Sequence, residues 1–246
     1  PFRPEKEEDR RLAELENEKA YRSYLNPIFR GCYTDALLAY MEETDSMPQM
    51  LPEDMKLISQ PIDFFGLNCY NRVLDCAEPG LMEKAAGNGE GGKRSMNLGG
   101  NYMDNGNEYY PKAVYDAVHI LNDTYKIGIP IYITENGMSD LDNISADGQV
   151  HDRERITFLD AYLGAVQRAI NEEMPVIGYF LWTFLDNFEW AEGYKERFGL
   201  VYVDYTTQRR IAKDSAYWYR EVMRMNGENL SCNQPYKQIL FMEPVF

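Results

Sequence analysis

Short apolar runs alternate with amphipathic stretches along most of this chain. Three runs are rich in β-branched and aromatic residues, and their length and composition predict strands at 62–70, 129–134 and 176–182. Helical periodicity predicts helices at 5–25, 27–41, 52–58, 111–125 and 214–225, and a further helix after Asp152. Apolar strands that alternate with amphipathic helices predict a parallel sheet covered by helices, and therefore an α/β fold.

The helix after Asp152 has the clearest apolar stripe. Asp152 is a candidate N-cap, and the stripe consists of Ile156, Leu159, Leu163, Val166 and Ile170. Pro27 predicts the first turn of a separate helix, because proline is tolerated at that position. Residues 199–210 predict a short hairpin. The Gly- and Asn-rich residues 78–106 predict a long loop of the kind that often forms a functional lid or mouth.

The number of predicted strands limits the architecture. A closed (β/α)8 barrel has eight parallel strands and about 250 residues, whereas these 246 residues predict only three such strands. The pattern therefore indicates a partial TIM barrel, in a single domain spanning 1–246 with a C-terminal tail at 226–246. A partial barrel leaves two sheet edges open, so we expect it to be completed by another chain or to self-associate.

The composition excludes several classes of partner. A net charge of −15 repels phosphate, so neither nucleic acid nor an anionic membrane surface is expected as a partner. The longest apolar run, at 176–185, is far shorter than the ~20 residues of a membrane span. The four cysteines form no Cys-x-x-Cys pair, and neither His119 nor His151 has the context of a ligand, so no metal or other cofactor is expected. Free thiols favour a reducing compartment, and a cytoplasmic location is the expectation.

Polar and indole side chains follow each predicted strand, where parallel α/β folds place reactive groups. These side chains are Asn68, Tyr70, Glu135, Trp182, Glu189 and Trp190. A carboxylate at a strand tip, such as Glu135, is a candidate catalytic group, although the following Asn-Gly pair equally favours a plain turn. Aromatic faces beside a few hydrogen-bonding groups are typical of a sugar pocket. Each tryptophan taken alone is more often a core residue.

Three segments resemble glycoside hydrolase family 1. Residues 182–200, which begin Trp-Thr-Phe-Leu-Asp-Asn-Phe-Glu-Trp, resemble the C-terminal signature of that family. Residues 131–137, Ile-Tyr-Ile-Thr-Glu-Asn-Gly, resemble its nucleophile motif, and residues 63–70 resemble the strand before it. The resemblance extends to about Arg224 and corresponds to the C-terminal half of the family's barrel, roughly strands 6–8.

The resemblance implies a retaining β-glycosidase, similar to β-glucosidases, that hydrolyses terminal β-linked neutral sugars. It implies that Glu135 is the nucleophile and forms a covalent glycosyl-enzyme. It also implies that Tyr70 donates a hydrogen bond that holds this carboxylate ionised and aimed. Asn68 would lie beside the nucleophile.

The same resemblance implies the groups that bind the sugar. Trp182 would form the floor under the glycone ring, and Glu189 and Trp190 would hydrogen-bond its hydroxyls. Phe198 would line the pocket near the exocyclic carbon. Glu189 would repel a phosphate group, so a neutral sugar is preferred to a 6-phosphosugar. Glucose, galactose and fucose all stay open as the glycone.

The acid/base half of the family's site has no counterpart in these 246 residues. The family carries that glutamate in an Asn-Glu-Pro motif, and no Asn-Glu-Pro occurs here. We therefore expect this chain alone to be a weak or inactive hydrolase, because acid catalysis contributes about 10²–10⁴-fold. Asn107 also stands where many relatives carry a tryptophan, which leaves the leaving-group preference open. Two other interpretations are a non-catalytic carbohydrate-binding half barrel and a truncated fragment with no role of its own.

Overall fold

The computed structural model describes residues 1–78, 80–81, 103 and 106–231. Most of the loop predicted at 78–106, and the tail from 232 onward, lie outside the described residues. Within the described ranges, no helix is both long and apolar enough to cross a bilayer.

A parallel three-stranded sheet forms the centre of the described fold. Its strands are β1 (Phe65–Asn68), β2 (Ile131–Asn136) and β3 (Val176–Leu181), in the order β1-β2-β3. The predicted strands are confirmed, but their bounds shift. β2 begins one residue after Pro130, which cannot donate to a ladder, and it runs through Glu135 to Asn136.

Helices precede, separate and follow the three strands along the chain. The first group consists of α1 (Glu7–Asn17), α2 (Ser23–Arg30), α3 (Asp35–Glu43) and α4 (Asp54–Ile58), with a π-helical turn, Glu18–Arg22, between α1 and α2. The prediction of a helix starting at Pro27 is wrong. Pro27 lies inside α2, which ends before Gly31 with a φ of 65°. The next helix starts after Thr34, whose hydroxyl accepts a hydrogen bond from the Leu37 amide at 3.1 Å.

The later elements follow the predicted order. They are α5 (Lys112–His119) with a π-helical turn (Ile120–Thr124), α6 (Arg153–Asn171), a 3-10 turn (Trp190–Glu192), β4 (Val201–Val203), β5 (Arg210–Ala212) and α7 (Asp214–Arg224). β4 and β5 pair in an antiparallel hairpin. The predicted hairpin is therefore confirmed, two residues later than expected.

The core lies between the sheet and helices α5 and α6. Ile131 and Ile133 of β2 are fully buried there, together with Val114, Val118, Phe158, Leu159, Tyr162 and Ala169. The predicted stripe on α6 is confirmed at Leu159, Leu163 and Val166. It is wrong at Ile170, which is 46% exposed, because Ala169 occupies the sheet-facing position in the last turn.

The other face of the sheet is open among the described residues, as expected for a partial barrel. Phe64, Tyr132 and Phe180 form an aromatic row across the three strands, with ring centroids 5.3 and 6.2 Å apart. Phe64 is 54% exposed and Phe180 is 57% exposed. Among the described residues, β1 and β3 pair only with β2, so both sheet edges are also open. In a complete barrel this face would be the filled interior.

A buried ionic cluster joins the segments that follow β2 and β3 to the ends of two helices. Its members are Asp142, Asp152, Arg155, Asp186, Arg197 and Lys213, and we call them the ionic cluster. Lys213 is fully buried and donates to Asp142 and, at 2.9 Å, to Asp186. Burial lowers the pKa of Lys213, because the ammonium group loses its water, although both carboxylates oppose this shift.

The side chain of Asp152 acts in this cluster and not as the predicted helix cap. Asp152 stands at the N-cap position of α6, but its carboxylate makes no capping hydrogen bond. It accepts instead from Arg155 and from the Ser215 amide, the latter at 2.8 Å. The prediction was wrong because the sequence does not reveal that Ser215, at the start of α7, lies beside Asp152.

Replacing Lys213 with methionine should destabilise the fold strongly. The Lys213→Met change leaves two buried carboxylates without their shared cation, so we expect a loss of about 3–5 kcal/mol in the free energy of unfolding, measured by urea denaturation. Lys195→Met is the control, because Lys195 is 62% exposed and its loss should cost under about 0.5 kcal/mol. Equal costs for the two variants would contradict a structural role for the cluster.

His151 should make stability depend on pH near neutrality. Its Nδ1 lies 2.7 Å from Asp214, at the start of α7, and its Nε2 lies 3.1 Å from Asp147. These carboxylates, Asp214 first, raise the pKa of His151 above its ordinary value. Stabilisation by the imidazolium is therefore complete below the unfolded pKa and is lost as the pH rises through the folded pKa.

We expect the urea midpoint to contain a component that falls as the pH rises from the ordinary histidine pKa, about 6.5, through the raised pKa of His151. His151→Gln should remove that component, and Asp214→Asn should weaken it. The same pH slope in the wild type and in His151→Gln would contradict the assignment.

Candidate active site

The carboxyl edge of the sheet brings together the tips of β1 and β2. Asn68 is the register partner of Glu135, and the Cys69 amide donates to the Glu135 carbonyl at 3.0 Å. A bulge between Leu67 and Asn68 shifts the register there. Glu135 is half-buried and belongs to the strand, one position before its end. The backbone of the carboxylate is therefore fixed by sheet hydrogen bonds.

Tyr70 contacts this carboxylate directly. Its hydroxyl donates to Glu135 Oε2 at 2.8 Å. Burial and then the neighbouring Glu135 raise the pKa of Tyr70 far above its ordinary value. The phenol therefore stays protonated near neutral pH and holds one carboxylate oxygen as a hydrogen-bond donor.

Asn68 stands beside Glu135 on the open face. Its side-chain oxygen accepts from the Thr134 hydroxyl at 2.7 Å. This bond leaves the Asn68 amide group at the edge of the sheet, in register with the carboxylate.

The segment after β3 reaches the same cluster. The Trp182 amide donates to the Asn136 carbonyl at 2.9 Å, and its indole Nε1 donates to Glu189 Oε2 at 3.3 Å. Glu189 is near enough for its charge to raise the pKa of Tyr70 further. The buried Phe198 ring meets the Tyr70 ring edge to face, with centroids 6.3 Å apart.

Trp190 is the exception among the predicted site residues. Its side chain is 79% exposed, and it begins the 3-10 turn with a φ of 45°. The structure thus brings the other six predicted residues together and leaves Trp190 on the same loop as Glu189, with its ring in solvent.

Two residues behind the site hold its backbone in place. Asn136 is fully buried, donates to the Cys69 carbonyl at 2.7 Å and accepts from the Tyr179 hydroxyl at 2.6 Å. Gly137 lies so close to β3 that a Cβ atom there would sit 1.9 Å from the Trp182 carbonyl oxygen. The Asn-Gly pair therefore ends a strand and does not form the hairpin turn that the pair alone favours.

A charged group of side chains borders the site on the β1 side. It consists of Arg72, Glu108 and Tyr110, and we call it the strap. Arg72 donates to both oxygens of Glu108, at 2.8 and 2.9 Å, and its guanidinium lies 3.9 Å from the centroid of the Tyr110 ring. Sequence reasoning missed these residues, because Glu108 and Tyr110 follow no strand. In the part of the chain that the structure describes, no group of three or more His, Cys, Asp or Glu side chains could hold a metal ion.

Parallel strands covered by helices, with a carboxylate, a phenol and an indole at their carboxyl edge, define part of an α/β-barrel site. The chain belongs to glycosyl hydrolase family 1, whose sequence profile matches residues 1–228. The resemblance of the three motifs is confirmed by this match.

Named relatives agree on the family. Beta-glucosidase A of Thermotoga maritima is 42% identical over 224 residues, which cover 91% of this chain and 48% of the relative. A bifunctional beta-D-glucosidase/beta-D-fucosidase of Bifidobacterium breve is 40% identical over 208 residues, covering 81% and 45%. The family 1 β-glucosidase of T. maritima in complex with isofagomine lactam superposes with a TM-score of 0.78 at 40% identity, covering 91% of this chain and 48% of that one. The chain spans about half the length of the relatives it matches, which is consistent with a partial barrel.

Adding one methyl group at Gly137 should separate β2 from Trp182. We expect Gly137→Ala to lower the free energy of unfolding by about 3 kcal/mol, because a backbone carbonyl must move. Gly148→Ala is the control, since its φ is +81° but nothing lies within 4 Å, and backbone strain alone costs about 1 kcal/mol. Urea denaturation followed by tryptophan fluorescence measures both. A Gly137→Ala cost no larger than that of Gly148→Ala would contradict the close approach.

Proposed function

We propose that this chain carries the nucleophile and the sugar-binding groups of a retaining β-glycosidase that acts on neutral sugars. The observation that carries the proposal is the 2.8 Å hydrogen bond from Tyr70 to Glu135 at the carboxyl edge of the sheet. A phenol that donates to one carboxylate oxygen restricts rotation of the carboxylate and leaves the other oxygen available for attack, as a nucleophile requires.

The first chemical step forms a covalent intermediate. A Glu135 oxygen attacks the anomeric carbon, the bond from that carbon to the glycosidic oxygen breaks, and the departing oxygen takes a proton from a second carboxylic acid. In the second step that carboxylate removes a proton from water. The water oxygen attacks the anomeric carbon, the ester bond to Glu135 breaks, and the sugar leaves with retained configuration. Retaining enzymes place the two carboxyl groups about 5–5.5 Å apart.

The groups around Glu135 suit a neutral sugar ring. Trp182 offers an apolar face for the C–H side of the ring, and its contact with Glu189 at 3.3 Å fixes the two side chains relative to each other. Glu189 accepts hydrogen bonds from hydroxyls and repels phosphate. The indole of the exposed Trp190 would donate a hydrogen bond to a sugar hydroxyl, and Phe198 and Asn68 would complete the pocket.

The proton donor of this mechanism must come from outside the 246 residues. They contain no Asn-Glu-Pro, and two rings of the aromatic row, Phe64 and Phe180, are more than half exposed. A complementary N-terminal half barrel fits better than a second copy of this chain. Two copies would bring twice the three strands of this sheet, which falls short of eight, and still no Asn-Glu-Pro.

Covalent trapping with an activated leaving group tests the nucleophile independently of acid catalysis. The reagent is 2,4-dinitrophenyl 2-deoxy-2-fluoro-β-D-glucoside, whose leaving group departs as an anion and whose fluorine slows release of the sugar. The chain is mixed with an N-terminal half of a family 1 β-glucosidase, such as that of T. maritima, and intact mass is measured. We expect one fluoroglucosyl group per chain, located on Glu135 by peptide mapping.

Two variants serve as the negative and positive controls for this labelling. Glu135→Gln should take up no label. Glu192→Gln changes a 56%-exposed carboxylate on the same loop as Glu189 and should be labelled like the wild type. Absence of label even with the complementary half bound, together with retained affinity for glucose-like inhibitors, would support a carbohydrate-binding half barrel. Absence of both label and sugar binding would support a fragment without a role.

A further inference from the structure

Two carbonyl groups beyond the end of β1 are held by side chains that reach them from behind the sheet. β1 ends at Asn68, so the Cys69 and Tyr70 carbonyls lie past the last residue of the strand. The Cys69 carbonyl accepts from Asn136 at 2.7 Å, and the Tyr70 carbonyl accepts from the hydroxyl of Tyr162 at 2.7 Å. The backbone that carries the Tyr70 phenol is therefore fixed from the helix side.

Tyr162 is itself held rigidly. It lies in α6, is fully buried, and stacks on Phe158 with ring centroids 4.0 Å apart and an interplanar angle of 22°. Its hydroxyl also accepts a hydrogen bond from the Tyr110 amide at 3.1 Å. The Tyr162 hydroxyl oxygen thus takes part in two hydrogen bonds. One is to Tyr70, which contacts Glu135, and the other is to Tyr110 of the strap.

We infer that Tyr162 is a positioning residue for the Tyr70–Glu135 pair, which rests on the proposed role of Glu135 as nucleophile. Tyr162 touches neither the carboxylate nor a substrate. It acts by fixing the Tyr70 carbonyl, and through it the Cα atom from which the phenol reaches Glu135 at 2.8 Å. A displacement of about 1 Å in such a group is enough to change a rate on the order of 10²-fold.

The Tyr162 hydroxyl also links the strap to the same point. Tyr110 lies under the guanidinium of Arg72, which binds Glu108 through two hydrogen bonds. Loss of the hydroxyl would release the Tyr70 carbonyl and the Tyr110 amide together. A merely structural hydroxyl would cost stability on removal but would leave the contact between Tyr70 and Glu135 unchanged.

The test is a nuclear magnetic resonance measurement on the full chain with tyrosine labelled with ¹³C at Cζ. The Tyr70 signal is assigned with Tyr70→Phe, and Glu135→Gln gives its position when the carboxylate acceptor is absent. We expect Tyr162→Phe, which keeps the ring, to move the Tyr70 signal from its wild-type position toward the Glu135→Gln position. A Tyr70 signal unmoved in Tyr162→Phe overturns the inference.

Two controls separate positioning from stability. Tyr219→Phe removes another phenol hydroxyl from the same core, and Val166→Ala destabilises the same helix without removing either hydrogen bond of the Tyr162 hydroxyl. Both should leave the Tyr70 signal in place. If Val166→Ala moves the signal as much as Tyr162→Phe does, the effect is general loosening and the inference fails.

A second measurement distinguishes this inference from the proposed function. With the complementary half bound, the rate of labelling by the fluoroglucoside should fall on the order of ten- to a hundredfold in Tyr162→Phe. An unchanged rate together with a labelled wild type overturns the inference and leaves the function standing. An unlabelled wild type overturns the function, and the Tyr70 signal still decides whether Tyr162 positions Tyr70.

Discussion

The buried ionic cluster is the constraint on which the rest of the described site depends. Asp186 accepts from Lys213 at 2.9 Å, from Arg197 at 2.6 Å and from the Gly199 amide at 2.9 Å. Those contacts hold together the start and the end of the loop that contains Glu189. A buried charge without partners is costly, so the cluster is stable only as a complete set. The loop is therefore held at both ends, and between them Glu189 accepts a hydrogen bond from the indole of Trp182.

The open face of the sheet explains why the described residues form half of a site. The row of Phe64, Tyr132 and Phe180 has the residue types of a barrel interior, yet two of its rings are more than half exposed. Interior positions of a closed barrel are filled by side chains from opposite strands. Under the proposed function, strands that covered this face would also carry the acid/base group, so a single partner could complete both the core and the chemistry.

The sequence predicted the strand tips well and the contacts between distant segments poorly. Strand periodicity was enough to predict that Asn68, Tyr70, Glu135 and Trp182 lie close together, because parallel strands bring their carboxyl ends to one edge of the sheet. Only one member of the ionic cluster could be suspected from the sequence. Arg155 falls on the buried stripe of α6, where a charged side chain needs a partner. The partners themselves lie up to 71 residues apart in the chain and could not be inferred from spacing.

Aromatic residues were hard to interpret for a different reason. Tyr162 and Tyr179 fit the apolar pattern of a core helix and a core strand, and burial alone explains their rings. The pattern does not predict the direction in which each hydroxyl points. That direction depends on the strand register and on where the hydrogen-bond ladder of the sheet ends. Trp190 shows the converse, because its motif predicted a pocket residue while its ring lies in solvent.

The two parts of the proposed reaction, nucleophilic attack and proton transfer, differ in whether this chain already holds the groups they need. Among the described residues, four side chains orient Glu135: Tyr70 on the carboxylate, Asn136 and Tyr162 on the backbone behind Tyr70, and Tyr179 on Asn136. A nucleophile needs fixed geometry, and these hydrogen bonds supply it without the other half. Proton transfer to the leaving group needs a second carboxyl group on the opposite side of the bond, which no rearrangement of these contacts can provide. Under the proposed function, the covalent step in this chain alone would depend on the basicity of the leaving group, and a complementary half would add acid catalysis to a nucleophile that is already oriented.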